Sequence, residues 1–188
     1  GGGSAVIANY QIHVGVENAV QGAGWSAGFF GGQTLTYTQT TLDGGINASV
    51  TSIDLTSASD FETASSTTSA AVAVVDQFIK LADSSGFPAK GTAKINSENI
   101  IYGTNQGNIL GELTRAADGT TAAIHASGAT VTFVGLIQID DELVQYTGKS
   151  SNDLDAGVVR GTRGTTAAAH ADDDIVKEAN GFYGWGDE

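Results

Sequence analysis

The sequence predicts an all-β protein of two tandem small antiparallel β modules, sandwich-like or barrel-like, with extended terminal arms rich in glycine and aromatic residues. Three observations predict this class. The 188 residues include 26 glycines and 1 proline among many threonines, serines, valines and isoleucines, a composition that favours short strands joined by glycine turns. Apolar residues often recur at alternate positions, as they do in strands. A long phrase in the second half occurs twice, which indicates two copies of one structural unit.

The chain is expected to have four parts. Residues 1–45 form an amino-terminal arm with the first strands, 46–134 a first β module with a partial upstream repeat, 135–178 a second β module, and 179–188 a tail. Aromatic residues interleaved with glycine at both ends either anchor on a neighbouring subunit or cap the domain's own core. These candidate interaction residues are Trp25, Phe29, Phe30, Phe182, Tyr183 and Trp185.

The upstream repeat relates "SIDLTSASDF", which begins at Ser52, to "FIKLADSSGF", which begins at Phe78, at an offset of 26 residues. Each has apolar residues at alternate positions, then a polar turn, then an aromatic residue, a pattern typical of a strand followed by a turn. Val72, Val75 and Ile79 also fit helical spacing. The echo of the earlier segment favours a strand there.

Each long repeat opens with a predicted hairpin. Alternating apolar residues flank a turn at Asn96 and Ser97 in the first repeat, and at Asp140 and Asp141 in the second. The following segments, "NILGELTRA" and "DLDAGVVRG", each predict one strand that ends at an arginine. The phrases "GTTAAIHA" and "GTTAAAHA" complete the two repeats.

The long repeats share a set of polar and aromatic side chains, with an offset of 44 residues that becomes 45 after one inserted loop residue. The set is Glu98, Tyr102, Arg115 and His125 in the first repeat, and Glu142, Tyr146, Arg160 and His170 in the second. Glutamate and histidine suffice for general acid–base chemistry, so an active site is one interpretation. A catalytic site is usually made once per chain, however, so the duplication favours a structural role and no enzyme activity.

Composition excludes several kinds of partner. The 8 basic and 21 acidic residues give a net charge of −13, which repels phosphate backbones and anionic lipids, so neither nucleic acid nor a membrane is expected as a partner. Without cysteine, no disulfide or thiolate metal site can form. The adjacent carboxylates Asp172, Asp173 and Asp174 lack the alternate spacing of a looped calcium site and predict a solvated turn. No metal site and no cofactor is expected.

The phrase "SGFPAKGTAKINSENIIYGTNQGNILGELTRAADGTTAAIHASGATV" resembles a module of tailed-bacteriophage structural proteins. The copy from Phe78 to Val131 matches nearly throughout and departs at Ala116, where glycine normally follows the arginine. The second copy keeps "RGTRGTTAAAHA" but lacks "SGFP", and the resemblance covers about residues 50 to 178. It implies an accessory β unit of the virion, often in tails, baseplates or fibres, without catalytic activity. The implied partners are other virion proteins and copies of this chain.

Three other functions stay open at this point. A capsid decoration protein would share the same module. A module that binds a host-surface glycan could use Trp25, Tyr183 and Trp185 as stacking platforms. A hydrolase built on the repeated glutamate and histidine pairs is the least favoured.

Overall fold

The computed structural model describes residues 38–180, and every structural statement below concerns that range. This part of the chain forms fourteen strands and no helix, in three antiparallel sheets, which confirms the predicted all-β class. It has no helix long and apolar enough to cross a membrane. The strands are β1 (Gln39–Thr41), β2 (Ile53–Asp54), β3 (Ser65–Thr67), β4 (Phe78–Lys80), β5 (Gly91–Ile95), β6 (Glu98–Tyr102), β7 (Thr104–Gln106), β8 (Ile109–Gly111), β9 (Thr114–Ala117), β10 (Thr130–Ile139), β11 (Glu142–Tyr146), β12 (Gly148–Ser150), β13 (Asp153–Ala156) and β14 (Ile175–Glu178).

Strand β10 is the centre of an eight-stranded sheet in the order β1-β14-β10-β5-β6-β9, with β3 and β11 also paired to β10. The first half of β10 pairs with β3 and β5, and its second half pairs with β11 and β14. The two smaller sheets have the orders β12-β13-β2 and β4-β8-β7. A single ten-residue strand therefore takes part in both halves of the fold.

The apolar side chains form two separate hydrophobic cores. The inner core is built from residues between 72 and 133: Val72, Ile79, Leu81, Phe87, Ala93, Ile95, Ile100, Tyr102, Leu110, Leu113, Val131 and Phe133. The outer core combines two distant stretches, 42–61 and 137–176: Leu42, Ile53, Leu55, Ala58, Phe61, Ile137, Ile139, Val144, Tyr146, Leu154 and Val176. The stretch that forms the inner core is thus inserted between the two stretches that form the outer core.

This nesting differs from the expected boundaries. Residues 46–61 were assigned to the first module, but they pack in the outer core with the second repeat. The 26-residue echo explains the difference, because it produces two equivalent upstream segments that make equivalent bridges. Leu42 pairs with Leu55 as Thr68 pairs with Leu81. The expected boundary after residue 134 also falls inside β10, so no break in the strand separates the two cores.

The predicted hairpins are confirmed. The prediction of one long strand after each hairpin, ending at the arginine, is wrong. Strands β5 and β6 meet at Asn96, and β10 and β11 meet at Asp140, with φ of 54° and 51°, a conformation that asparagine and aspartate tolerate well. The expected single strand breaks at Glu112 in the first repeat (φ 55°) and at Gly157 in the second (φ 61°). Positive φ at these residues interrupts the extended backbone. Arg115 therefore lies in its own short strand, β9.

Candidate functional site

The first triad consists of Glu98, Arg115 and His125, which three different elements bring together. Glu98 is the first residue of β6, directly after the hairpin turn. Arg115 lies in β9, the strand that pairs with β6. His125 lies in the loop before β10, where its backbone pairs with Val72. The pairing of β6 with β9 brings the arginine to the glutamate, and the loop before β10 brings the histidine.

Both carboxylate oxygens of Glu98 accept several hydrogen bonds. Oε1 accepts from Arg115 Nε at 2.7 Å and from the Ala116 backbone N–H at 3.2 Å. Oε2 accepts from Arg115 Nη2 at 2.9 Å, the Ala123 N–H at 3.0 Å and His125 Nε2 at 2.7 Å. The Glu98 side chain is fully buried. Bidentate pairing with arginine is among the strongest polar interactions available to a carboxylate.

Arg115 connects this carboxylate to two further segments of the chain. Its guanidinium donates to the carbonyl of Ala73 at 2.6 Å and to the carbonyl of Ala123 at 2.7 Å. The backbone of His125 exchanges hydrogen bonds of 2.9 and 2.8 Å with Val72. The first triad therefore fastens β6, the loop around residue 123 and the segment around residue 73 to one another.

The second triad, Glu142, Arg160 and His170, repeats this geometry. Glu142 accepts two hydrogen bonds from Arg160, each 2.7 Å long, and one from His170 Nε2 at 2.9 Å. The backbone N–H groups of Gly161 and Ala168 donate to it at 2.9 and 3.0 Å. Each donor occupies the position of its counterpart in the first triad. The triad is thus a feature of the repeat rather than of one place in the chain.

Arg160 and His170 also reach the upstream segment of the outer core. Arg160 donates to the Asn47 carbonyl at 2.8 Å, and the backbone of His170 pairs with Ile46 through two hydrogen bonds of 2.9 Å. Ile46 occupies the position that Val72 has in the inner core. The second triad thus fastens two segments that lie more than a hundred residues apart in sequence.

Both triad glutamates have pKa values below the ordinary range of glutamate. Burial opposes ionisation of Glu98, but the hydrogen bonds from Arg115, Ala123, His125 and Ala116 outweigh it and lower its pKa to about 2. The balance is the same at Glu142, where donors led by Arg160 outweigh burial and lower the pKa to about 2. Both carboxylates are therefore ionised at neutral pH, each facing a buried guanidinium.

The triads differ at the second ring nitrogen of the histidine. His125 Nδ1 lies 3.3 Å from Asn96 Nδ2, which is a hydrogen-bond donor. His170 Nδ1 lies 3.1 Å from Asp140 Oδ2 and 4.0 Å from Asp174 Oδ2. The repeat register aligns Asp140 with Asn96 and Asp174 with an alanine. The second triad alone therefore directs a buried imidazole nitrogen toward two carboxylates.

The repeated tyrosines lie apart from the triads, although the sequence grouped them together. Tyr102 and Tyr146 lie at the far ends of β6 and β11, directly across from Gly91 and Gly135 on the neighbouring strands. A Cβ added to Gly135 would lie 2.1 Å from Tyr146 Cζ, so the tyrosine ring occupies the space above the glycine. Both rings are buried in the hydrophobic cores. The tyrosine rings therefore pack in the cores and take no part in the triads.

A polar contact between the two halves was missed at the level of sequence. Asp118 accepts hydrogen bonds from Arg163 Nε at 3.0 Å, Gln145 Nε2 at 2.8 Å and Asn99 Nδ2 at 3.1 Å. A cleft of about 200 Å³ beside these residues has walls from both repeats. Asp118 and Arg163 occupy the same position in the two repeats, 45 residues apart. The first repeat thus has a negative charge where the second has a positive one, and this difference was the signal that could have identified the contact.

The chemistry available to the triads is limited by their burial. The histidine side chains are 1% and 3% exposed, and their Nε2 atoms already bond the glutamates. A general acid or base must reach the proton of a bound substrate, and neither Nε2 is free to do so. The arrangement is suited to fastening chain segments.

The six aromatic candidates, Trp25, Phe29, Phe30, Phe182, Tyr183 and Trp185, lie outside the described residues 38–180. Their proposed contacts with other subunits or glycans stay predictions. No protein-family profile, curated protein or solved structure matches this chain. Function is therefore inferred from the residues of the chain and from the resemblance of its repeated motif.

Proposed function

We propose that this protein is a non-enzymatic structural component of a tailed-phage virion, in the tail or fibre region, where it assembles with other virion proteins and copies of itself. One observation supports this above all. The glutamate, arginine and histidine of the repeated motif bond one another and equivalent chain segments in both copies. The residues that carry the phage resemblance thus hold separate segments of their own chain together, as an architectural module requires.

The enclosure of the triads supports a non-enzymatic role. The Glu98 and Glu142 side chains are 0% and 1% exposed, and every carboxylate oxygen accepts at least two hydrogen bonds. Catalytic carboxylates need an open side facing the substrate. These carboxylates face only their own chain.

An exposed apolar surface beside the first triad suits assembly. Val74, Val75 and Ile124 are 43%, 79% and 75% exposed. They lie on neighbouring segments, because Arg115 bonds the carbonyls of Val74 and Ala123. Exposed apolar residues that cluster in this way commonly mark a protein–protein contact, whereas scattered ones do not.

The equivalent positions of the second repeat carry smaller or polar side chains. The register places Ala48, Ser49 and Ala169 where the first repeat has Val74, Val75 and Ile124. The two repeats therefore share the same triad but have different exposed surfaces beside it. We assign the contact with a neighbouring subunit to the surface beside the first triad.

The decisive experiment locates the chain in purified particles. We expect mass spectrometry of virions from the encoding phage to detect many copies per particle, and cryo-electron microscopy to show density for the described fold in the tail or fibre region. Absence from particles, with the chain monomeric in host lysate, would overturn the proposal. Density on the capsid would instead identify a decoration protein.

Paired variants test the assembly surface. Val75→Asp with Ile124→Asp should abolish incorporation into particles while the isolated chain keeps its thermal unfolding midpoint. Ser49→Asp with Ala169→Asp is the matched control in the second repeat and should be incorporated normally. Equal incorporation of both pairs would contradict the assignment. If Trp25→Ala leaves particles intact but prevents adsorption to host cells, a glycan-binding role replaces the structural one.

A further inference from the structure

We propose that Asp140, His170 and Asp174 form a binding site for one divalent transition-metal cation of the Zn²⁺ type. Asp140 lies in the turn between β10 and β11, His170 in the loop that follows the second "GTTAA" phrase, and Asp174 directly before β14. One ligand atom from each residue lies within 4.8 Å of the other two. The hairpin turn between β10 and β11 and the loop before β14 thus bring the three side chains together.

The orientation of His170 carries the argument. Its Nε2 donates to the ionised carboxylate of Glu142 at 2.9 Å, and the ring is 3% exposed and so cannot turn freely. In the neutral ring, Nδ1 therefore keeps its lone pair, which faces the Asp140 oxygen at 3.1 Å and the Asp174 oxygen at 4.0 Å. Nδ1 and the two carboxylate oxygens can thus all serve as ligands of one cation. Metal-binding histidines characteristically donate their other N–H to a carboxylate, as His170 does.

The spacing suits ligands of one ion. Zinc binds histidine nitrogen and carboxylate oxygen at about 2.0–2.2 Å, so two ligands of one ion lie at most about 4.4 Å apart. Both distances from His170 Nδ1, 3.1 and 4.0 Å, are within this limit. The Asp140 side chain is 66% exposed, which leaves it room to adjust and leaves solvent access for water ligands.

The donor set indicates the class of metal. Calcium and magnesium prefer oxygen ligands alone, whereas an imidazole with carboxylates suits zinc and related first-row metals. Asp174 Oδ2 also accepts a hydrogen bond of 2.7 Å from the Ala171 N–H, which holds this carboxylate in place. An aspartate oxygen has lone pairs enough for both contacts.

The first repeat serves as an internal comparison without these ligands. Its histidine, His125, keeps the same bond to a glutamate at 2.7 Å, but Asn96 replaces Asp140 and Ala129 replaces Asp174. The Asn96 amide can donate to Nδ1 at 3.3 Å, so no cation is needed there. The same frame thus exists with and without the two carboxylates, and only the second copy has a metal-ligand set.

Titration of the full-length, untagged, chelator-stripped chain with ZnCl₂ at pH 7, followed by calorimetry, tests the site. We expect one Zn²⁺ per chain, with MgCl₂ giving no comparable binding. Asp140→Asn, which copies Asn96, and Asp174→Asn, which preserves the acceptor for Ala171, should each weaken Zn²⁺ binding at least about 100-fold, since even supporting residues cost 10–100-fold. Circular dichroism should show that both variants remain folded.

Asp172→Asn is the matched control. Asp172 belongs to the same run of three aspartates, but it accepts from the Gly44 N–H at 2.8 Å and is not a member of the ligand set. Its substitution should leave Zn²⁺ affinity unchanged. Failure of the wild-type chain to bind Zn²⁺ would overturn the proposal. Zn²⁺ binding that survives in Asp140→Asn and Asp174→Asn would overturn it equally, by placing the ion elsewhere.

Discussion

Replacing Glu98 with glutamine removes the charge at the centre of the first triad while keeping the size of the side chain. The native carboxylate accepts five hydrogen bonds from Arg115, His125 and two backbone N–H groups. Glutamine has only one acceptor oxygen. Its amide N–H groups would face the N–H donors that the native carboxylate accepts from. Arg115, whose side chain is 9% exposed, also loses its counter-charge. We therefore expect a large loss of stability.

Two arguments give the size of the expected loss in the free energy of unfolding. The Glu98 pKa falls from 4.5 to about 2 on folding. Since a tenfold change in an equilibrium is worth ~1.4 kcal/mol, this fall corresponds to about 3 kcal/mol at neutral pH. Removing one partner of a buried ion pair typically costs about 3–5 kcal/mol. Small domains have a total stability of about 5–15 kcal/mol, so Glu98→Gln should remove a large part of it.

Urea unfolding at pH 7, followed by circular dichroism, measures this loss. Glu112→Gln is the control, because Glu112 is exposed in the same repeat and its substitution should change the free energy of unfolding by no more than about 0.5 kcal/mol. If Glu98→Gln does not fold, Arg115→Lys keeps the charge, loses the bidentate geometry and should show a smaller loss. A loss below about 1 kcal/mol for Glu98→Gln would refute the fastening role, since it is well short of the cost expected for a buried pair.

Three further predictions concern other parts of the fold. Because both triad glutamates have folded pKa values of about 2 against 4.5 for the free side chain, their stabilisation is complete above pH 4.5 and is lost as the pH falls toward 2; urea midpoints that stay constant over this range would contradict it. Gly135→Ala should cost about 1–3 kcal/mol in thermal unfolding, because its Cβ would overlap Tyr146, whereas Gly86→Ala, whose Cβ meets only a methyl group at 3.5 Å, should cost no more than about 0.5 kcal/mol. Asp118→Ala removes the acceptor of Arg163 and should cost about 1–3 kcal/mol in urea unfolding, and an unchanged midpoint would show that this contact contributes nothing.

Much of the local structure was accessible from sequence because local rules specify it. Alternating apolar residues around Asn96 and Asp140 predicted both hairpins, and the turn residues have the positive φ that asparagine and aspartate favour. The breaks at Glu112 and Gly157 were not predicted, because a single residue at positive φ leaves little trace in an alternating pattern.

The triads were only partly predictable. The glutamate, tyrosine, arginine and histidine were grouped because they recur in both sequence repeats. The repeats do not show which of these side chains are in contact. Strand pairing decided that Glu98 meets Arg115 while Tyr102 lies four residues further along β6, opposite a glycine. Likewise, Asp140 and His170 meet only because the loop before β14 folds back to the hairpin turn. Contacts across 30 residues depend on tertiary packing rather than on local preference.

The sequence by itself determined the all-β class, the repeat register and the side chains that hold each repeat together. Only the tertiary structure decided which upstream segment completes which core. The segments around residues 42–61 and 68–87 share one pattern of strand, polar turn and aromatic residue, so local propensity cannot distinguish their partners. Closing a short loop costs less entropy than closing a long one, and the nearer segment accordingly completes the inner core with Val72 against His125. The earlier segment then closes the outer core across the whole insertion, with Ile46 against His170.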